Sequence, residues 1–150
     1  MRVKLIKLVA EFEGFERRVK HTLPPTAVPY LCPAGFWTIG YGHLCKPDHP
    51  PIDQAAATAY LVRDLETAAR AVDRLIPLQL GQGQRDALTS WTMNLGAGRL
   101  RGSTLRSTLL RGDYVLAPAE IRKWVYAGGR RLPGLALRRE VEARMFEAAE

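Results

Sequence analysis

Phe36-Trp37-Thr38-Ile39-Gly40-Tyr41-Gly42-His43 decides how the rest of the chain is read. Aromatic and β-branched residues broken by two glycines predict a short, tight β-hairpin. Upstream, Val3, Ile6, Val9 and Phe12, joined by Leu5 and Leu8, recur at helical spacing and predict one amphipathic helix. Gly14 comes next, where a left-handed cap belongs. Glu13 therefore stands at a helix C-terminus, where the negative end of the dipole disfavours an ionised carboxylate. An isolated acid on a helix end, facing a polar hairpin, has the placement of a general acid at a glycosidic bond. The plainer reading of Glu13 is a surface glutamate at a frayed helix end.

Outward from the hairpin, residues 21–30 contain Pro24, Pro25 and Pro29 and predict an irregular loop. Lys46-Pro47-Asp48-His49-Pro50-Pro51 reads as a rigid linker. Residues 52–76 place Leu61, Leu65, Ala68, Val72 and Leu75 on one helical face, and Pro77 stops the helix. At about 24 residues it is ~36 Å long, a strut between two lobes. The remainder reads as all-helical. Residues 84–95 carry Ala87, Leu88, Trp91 and Leu95 on one side. Ser103 or Thr104 caps a helix ending at Gly112, and Pro118 suits the first turn of a helix burying Ile121, Trp124 and Val125. After Pro133-Gly134, a final helix holds Leu137, Val141 and Met145 in register.

The 150 residues show no composition break, so one domain with two lobes is expected, and 47% hydrophobic residues supply a core. The net charge of +7, with arginine dense between residues 122 and 144, favours an anionic partner. The bland alternative is a set of solvated helix faces. No basic run is interleaved with stacking aromatics, which disfavours nucleic acid. The N-terminal apolar run is interrupted by charge too often for a membrane span or a signal peptide, so accumulation in a cytoplasm is expected. Cys32 and Cys45 are too few for a disulfide scaffold. Cys32, His43, Cys45 and His49 match no usual zinc spacing, so no metal is expected.

Several motifs recur in order: Glu13-Gly14; residues 37–43; Gln84-Arg85-Asp86-Ala87-Leu88 leading to Asn94-Leu95-Gly96-Ala97-Gly98; Ser103-Thr104-Leu105 leading to Gly112-Asp113-Tyr114; Trp124-Val125-Tyr126-Ala127-Gly128-Gly129 leading to Leu132-Pro133-Gly134-Leu135; and Arg138-Arg139-Glu140. Together they span nearly the whole chain, and the set resembles the phage lysozyme family (glycoside hydrolase family 24). The resemblance implies an α+β, mostly α, two-lobed lysozyme-like fold. Its small β-hairpin lobe would cover residues 13–51, its connecting helix 52–76, and its helical lobe 81–150 plus the N-terminal helix.

The resemblance also implies hydrolysis of the β-1,4 bond between N-acetylmuramic acid and N-acetylglucosamine in peptidoglycan, by a monomer without cofactor. The family's catalytic set is Glu, Asp and Thr. By motif position the Glu is Glu13 and the Thr is Thr38, and the Asp position is taken by Cys32. A carboxylate there would orient water or stabilise an oxocarbenium ion. A neutral thiol does neither well, whereas a thiolate would. By the same resemblance His43 pairs with Asp64, Arg138 is structural near the site, and Glu66 lines the groove. Asn94 contacts an N-acetyl group or caps its own turn. Gly40 and Gly42 serve hairpin geometry, and Trp91, Trp124 and Tyr126 are core residues in preference to sugar platforms. The resemblance implies storage in a host cytoplasm, holin-mediated release to the cell wall, and adsorption to an anionic envelope without membrane insertion. Two rivals stay open: a lytic transglycosylase forming 1,6-anhydro products, and a peptidoglycan-binding module with a decayed site.

Overall fold

The computed structural model describes residues 3–15, 19–20 and 26–148, and the backbone alone for residues 19–20. Among the described residues helices dominate, with three small antiparallel sheets. Contacts divide the chain into two compact units, Met1–Asp64 and Leu65–Glu150. The boundary falls inside the long helix α2 (Gln54–Leu75). The N-terminal helix belongs to the first unit, whereas sequence reasoning grouped it with the helical lobe. Among the described residues no helix is long and apolar enough to cross a membrane.

In the first unit, α1 (Val3–Glu13) buries Leu5 and Val9. Gly14 ends it with φ +66°, its N–H returning to Ala10 O at 2.9 Å. Strands β1 (Val19–Lys20), β2 (Thr26–Ala27) and β6 (Ile52–Asp53) form one sheet with β2 central. Strands β3 (Tyr30–Leu31), β4 (Trp37–Ile39) and β5 (His43–Leu44) form a second with β4 central. The expected irregular loop over residues 21–30 thus needs correction where it is described. Thr26–Ala27 and Tyr30 lie in strands, and residues 21–25 lie outside the described part. Two-residue strands are too short for alternation to reveal, and Pro29 falls between strands, where its missing N–H costs no ladder bond.

The α2 helix starts two residues later than expected, because Ile52–Asp53 is β6. Asp53 caps it, Oδ1 accepting from Ala56 N–H at 2.8 Å. Its buried face carries Ala57, Leu61, Leu65, Ala68, Val72 and Leu75.

The second unit holds α3 (Gln82–Leu95), α4 (Ala97–Arg101), α5 (Thr104–Leu110), α6 (Ala117–Arg122) and α7 (Pro133–Glu147). Val72, Leu88, Trp91, Leu105, Ile121 and Phe146 are among its core residues. Helix α7 packs on α3 and α6. At Gly83 the approach leaves no room for a side chain: a Cβ there would lie 2.8 Å from Met145 O.

Three sequence expectations fail in this unit. The stretch after α6 is not all-helical: α6 stops at Arg122, short of Trp124 and Val125. Strands β7 (Tyr126–Ala127) and β8 (Arg130–Arg131) then form a hairpin. Gly128 and Gly129 both take positive φ, as a two-residue hairpin turn demands. Tyr126 is therefore exposed and not core, while Trp91 is fully buried with the partly buried Trp124 edge-on at 5.3 Å. Finally, α7 does not bury Leu137, Val141 and Met145: Leu137 is exposed and the other two are half-buried. Arg138, Arg139, Glu142, Ala143 and Phe146 face inward instead.

Candidate active site

Glu13 is the last residue of α1, and the two residues after it fix where its side chain points. Gly14 turns the chain, and Phe15 is buried with its ring 5.6 Å from that of Tyr41. Tyr41 is held in turn, its hydroxyl accepting from Gln54 Nε2 at 3.2 Å. This brings the Glu13 carboxyl group onto Gly42, in the turn joining β4 to β5. A Cβ on Gly42 would lie 2.5 Å from Glu13 Oε2 and 2.9 Å from its Cδ. Gly42 also has φ +75°, so both backbone and neighbour require glycine.

Thr38 lies on β4, 4% exposed, paired with Tyr30 on one side and Leu44 on the other. Its hydroxyl donates to Tyr30 O at 3.3 Å. The lone pairs of Oγ1 remain able to accept from a water or a sugar hydroxyl. Cys32 continues the β3–β4 ladder, its N–H donating to Phe36 O at 2.9 Å, and Gly35 closes the turn. The register Tyr30↔Thr38 then puts Cys32 and Thr38 on one face of the hairpin, as diagonal neighbours roughly 7–8 Å apart.

Cys45 lies across β4 from Leu31, the residue before Cys32, its N–H donating to Trp37 O at 3.1 Å. Burial pushes its thiol pKa up, which keeps it protonated. Both cysteines are free thiols. With β4 between them they are separated by two strand spacings, roughly 9.5 Å, beyond the ~7 Å reach of a disulfide.

The two described histidines, His43 and His49, are occupied locally. His43 Nδ1–H donates to Asp64 Oδ2 at 2.9 Å, and both side chains are about 30% exposed. The imidazole stacks on Tyr60, with centroids 4.2 Å apart and planes within 9°. Tyr60 and Asp64 are one turn apart on α2, so one helix face holds His43 from two sides. His49 Nδ1–H donates to Pro50 O at 2.7 Å, which leaves Nε2 to accept from Tyr60 OH at 3.4 Å. Among the described residues no group of three or more His, Cys, Asp or Glu side chains could hold a metal ion.

The other sequence-derived candidates lie in the second unit. Glu66 is exposed on α2. Asn94 is half-buried near the end of α3, and its Oδ1 accepts from Arg139 Nη2. Arg138 is buried: Nε donates to Glu142 Oε2 at 3.2 Å and Nη2 to Ser90 O at 3.1 Å. Glu142 is wholly buried, accepting further from Ser90 Oγ at 2.6 Å and Arg139 Nη1 at 2.8 Å.

Sequence reasoning assigned Gly42 to hairpin geometry alone and missed its contact with Glu13. It also missed Tyr60, although its spacing four residues before Asp64 is a usable signal. The network of Ser90, Arg139 and Glu142 around Arg138 left no apolar trace to follow.

The phage lysozyme family model matches residues 10–142. The chain belongs to the phage lysozyme family. Its lysozyme-like fold is similar to that of the muramidase domain of SpmX from Asticaccaulis excentricus. That match has a TM-score of 0.81 at 27% identity and covers 99% of this chain and 97% of that one. The lysozyme relatives include an endolysin of Acyrthosiphon pisum secondary endosymbiont phage 1, 40% identical over 151 residues and covering 97% of both chains. An endolysin of Bacillus phage B103 is 34% identical over 147 residues, which is 97% of this chain. The chain spans about half of that relative, 53% of its length.

Proposed function

We propose that the chain hydrolyses the β-1,4 bond between N-acetylmuramic acid and N-acetylglucosamine in peptidoglycan. The observation that carries the reading is the seat of Glu13: its carboxyl group lies on Gly42, in the turn of the strand pair that carries Thr38. Glu13 gives its proton to the glycosidic oxygen as the bond to the anomeric carbon breaks. A water, held by a hydrogen bond to Thr38 Oγ1, attacks that carbon from the opposite face and releases its surplus proton to solvent, from which the Glu13 carboxylate is reprotonated. Attack from the opposite face inverts the configuration. Cys32, beside Thr38 on the hairpin, is the second polar group at the attacking water. The family assignment and the endolysin relatives support this substrate class.

The thiol at Cys32, where the family's pattern has a carboxylate, favours one rival. A transglycosylase needs no water: the muramic acid 6-hydroxyl attacks, and the product carries a 1,6-anhydro end. Mass spectrometry of fragments released from purified sacculi distinguishes the outcomes. Reducing ends support hydrolysis, anhydro ends replace it with transglycosylation, and no release leaves a binding module. The proposal includes storage in a host cytoplasm and release through a holin-type lesion. Culture turbidity with and without a co-expressed holin tests that part.

A further inference from the structure

Residues 87–112 contain Arg99, Arg101, Arg106 and Arg111 and no aspartate or glutamate. Several other arginines of this unit meet carboxylates, among them Arg85 with Asp73, Arg122 with Glu140 and Glu147, and Arg144 with Glu140. Among the described residues these four have no ion pair. Arg99 lies over the Trp124 ring at 5.9 Å. Arg106 is tied to backbone, Nε donating to Leu75 O at 2.8 Å.

Arg101 at the end of α4 and Thr104, Ser107, Leu110 and Arg111 of α5 and its C-cap are all exposed, and helical spacing puts the last four along one face of α5. Arg101, Arg106 and the Thr104 and Ser107 side chains line a shallow depression of about 260 Å³, with Leu110 at its edge. Just beyond α5, Gly112 turns the chain with φ +80°, and Asp113 N–H returns to Thr108 O at 3.1 Å. Exposed aliphatic side chains flank this turn: Leu110 at 44% before it, and Val115 at 88% and Leu116 at 53% after it. The nearest acid, Asp113, has Oδ1 engaged by Leu116 N–H at 3.2 Å.

We infer that the outer face of α4 and α5, with the loop to Leu116, docks on an anionic phospholipid surface. The arginines and hydroxyls match the phosphodiester headgroups. The three aliphatic side chains explain why the partner is a bilayer and not a soluble polyanion: a hydrated polymer gives them nothing to enter, whereas the headgroup–acyl boundary does. Binding is peripheral and salt-sensitive, since it rests on a few arginines and three aliphatic groups. The inference is independent of the bond proposed for cleavage.

Co-sedimentation of the full chain with vesicles tests it, using pure phosphatidylcholine and a mixture with phosphatidylglycerol. The wild type is expected to partition at least tenfold more into the anionic vesicles. Two double variants, Arg101→Gln with Arg111→Gln and Val115→Ser with Leu116→Ser, are each expected to lose most of that partition. Their circular dichroism and melting temperature should stay unchanged. Arg130→Gln with Arg131→Gln removes the same charge from exposed β8 and is expected to retain binding. The inference is overturned if the wild type ignores anionic vesicles. An equal loss in the β8 variant would make net charge the whole explanation. Full binding by the Val115/Leu116 variant, with poly(glycerol phosphate) competing as well as vesicles, would reassign the face to a soluble polyanion.

Discussion

Replacing Gly42 by alanine puts a methyl group where Glu13 Oε2 now sits, 2.5 Å away, at a backbone position with φ +75°. The left-handed backbone costs about 1–3 kcal/mol, and the carboxylate must move by up to an ångström. Such a shift at a reacting group costs on the order of 10²-fold in rate. Turbidity clearing of sacculi by Gly42→Ala should therefore fall about as far as by Glu13→Gln, where lost general acid catalysis costs ~10²–10⁴-fold. Near wild-type clearing by Glu13→Gln would remove Glu13 from the reaction, and by Gly42→Ala would show that its seat on Gly42 does not matter to the rate. Cys32 gives the second prediction at this scale. Under reducing conditions Cys32→Ala should lower turnover without unfolding the protein, and Cys32→Asp should keep measurable lysis. An unchanged rate in Cys32→Ala leaves Glu13 and Thr38 as the whole machinery. Glu13 and Thr38 were legible because turn glycines bracket them in a fixed order. The pressure of Glu13 on Gly42 was not, because a glycine forced by a neighbour and one forced by its own φ look alike in a sequence.

At the scale of elements, α7 is the instructive helix. Its apolar residues point one way and its burial another, because Arg138, Arg139 and Glu142 take the inward positions. Periodicity of hydrophobic residues locates a buried face only when burial is achieved by apolar groups. Here it is achieved by mutual neutralisation, Glu142 accepting from both arginines and Ser90. Glu142→Ala removes the buried carboxylate that accepts from both guanidinium groups and from Ser90, and should cost roughly 3–5 kcal/mol, read by urea denaturation. Leu137→Ser, at a site 63% exposed, should change stability by no more than about 0.5 kcal/mol. The reverse ranking would restore the apolar-stripe reading. The α1 and α2 helices were legible because apolar side chains do bury them. The strands β1, β2, β7 and β8 were not, since two residues carry no alternation. The Gly128-Gly129 pair was the one local sign of the last hairpin.

For the whole molecule, acid sensitivity arises from surface ion pairs. Hydrogen bonds from Arg122 and Arg144 hold the Glu140 carboxyl from an ordinary 4.5 down to about 2. Arg85, by its hydrogen bond, lowers Asp73 below its usual value. Both groups bind protons more weakly in the folded chain than in the unfolded one. Their contribution is complete above the unfolded values and is lost as pH falls from about 4.5 towards 2. The melting-temperature gap between wild type and Glu140→Gln should narrow over that interval and stay constant near neutrality. A gap that persists at pH 2 would place the contribution in packing. The spacing of the two thiols across β4 has a consequence under oxidising conditions. No internal cross-link is within reach, so oxidising surroundings offer the folded chain no second covalent form. Its melting curve should superimpose with and without dithiothreitol, and alkylation after air oxidation should still count two thiols per folded monomer. A change from a reducing to an oxidising solution is expected to leave the folded chain with the same internal bonds.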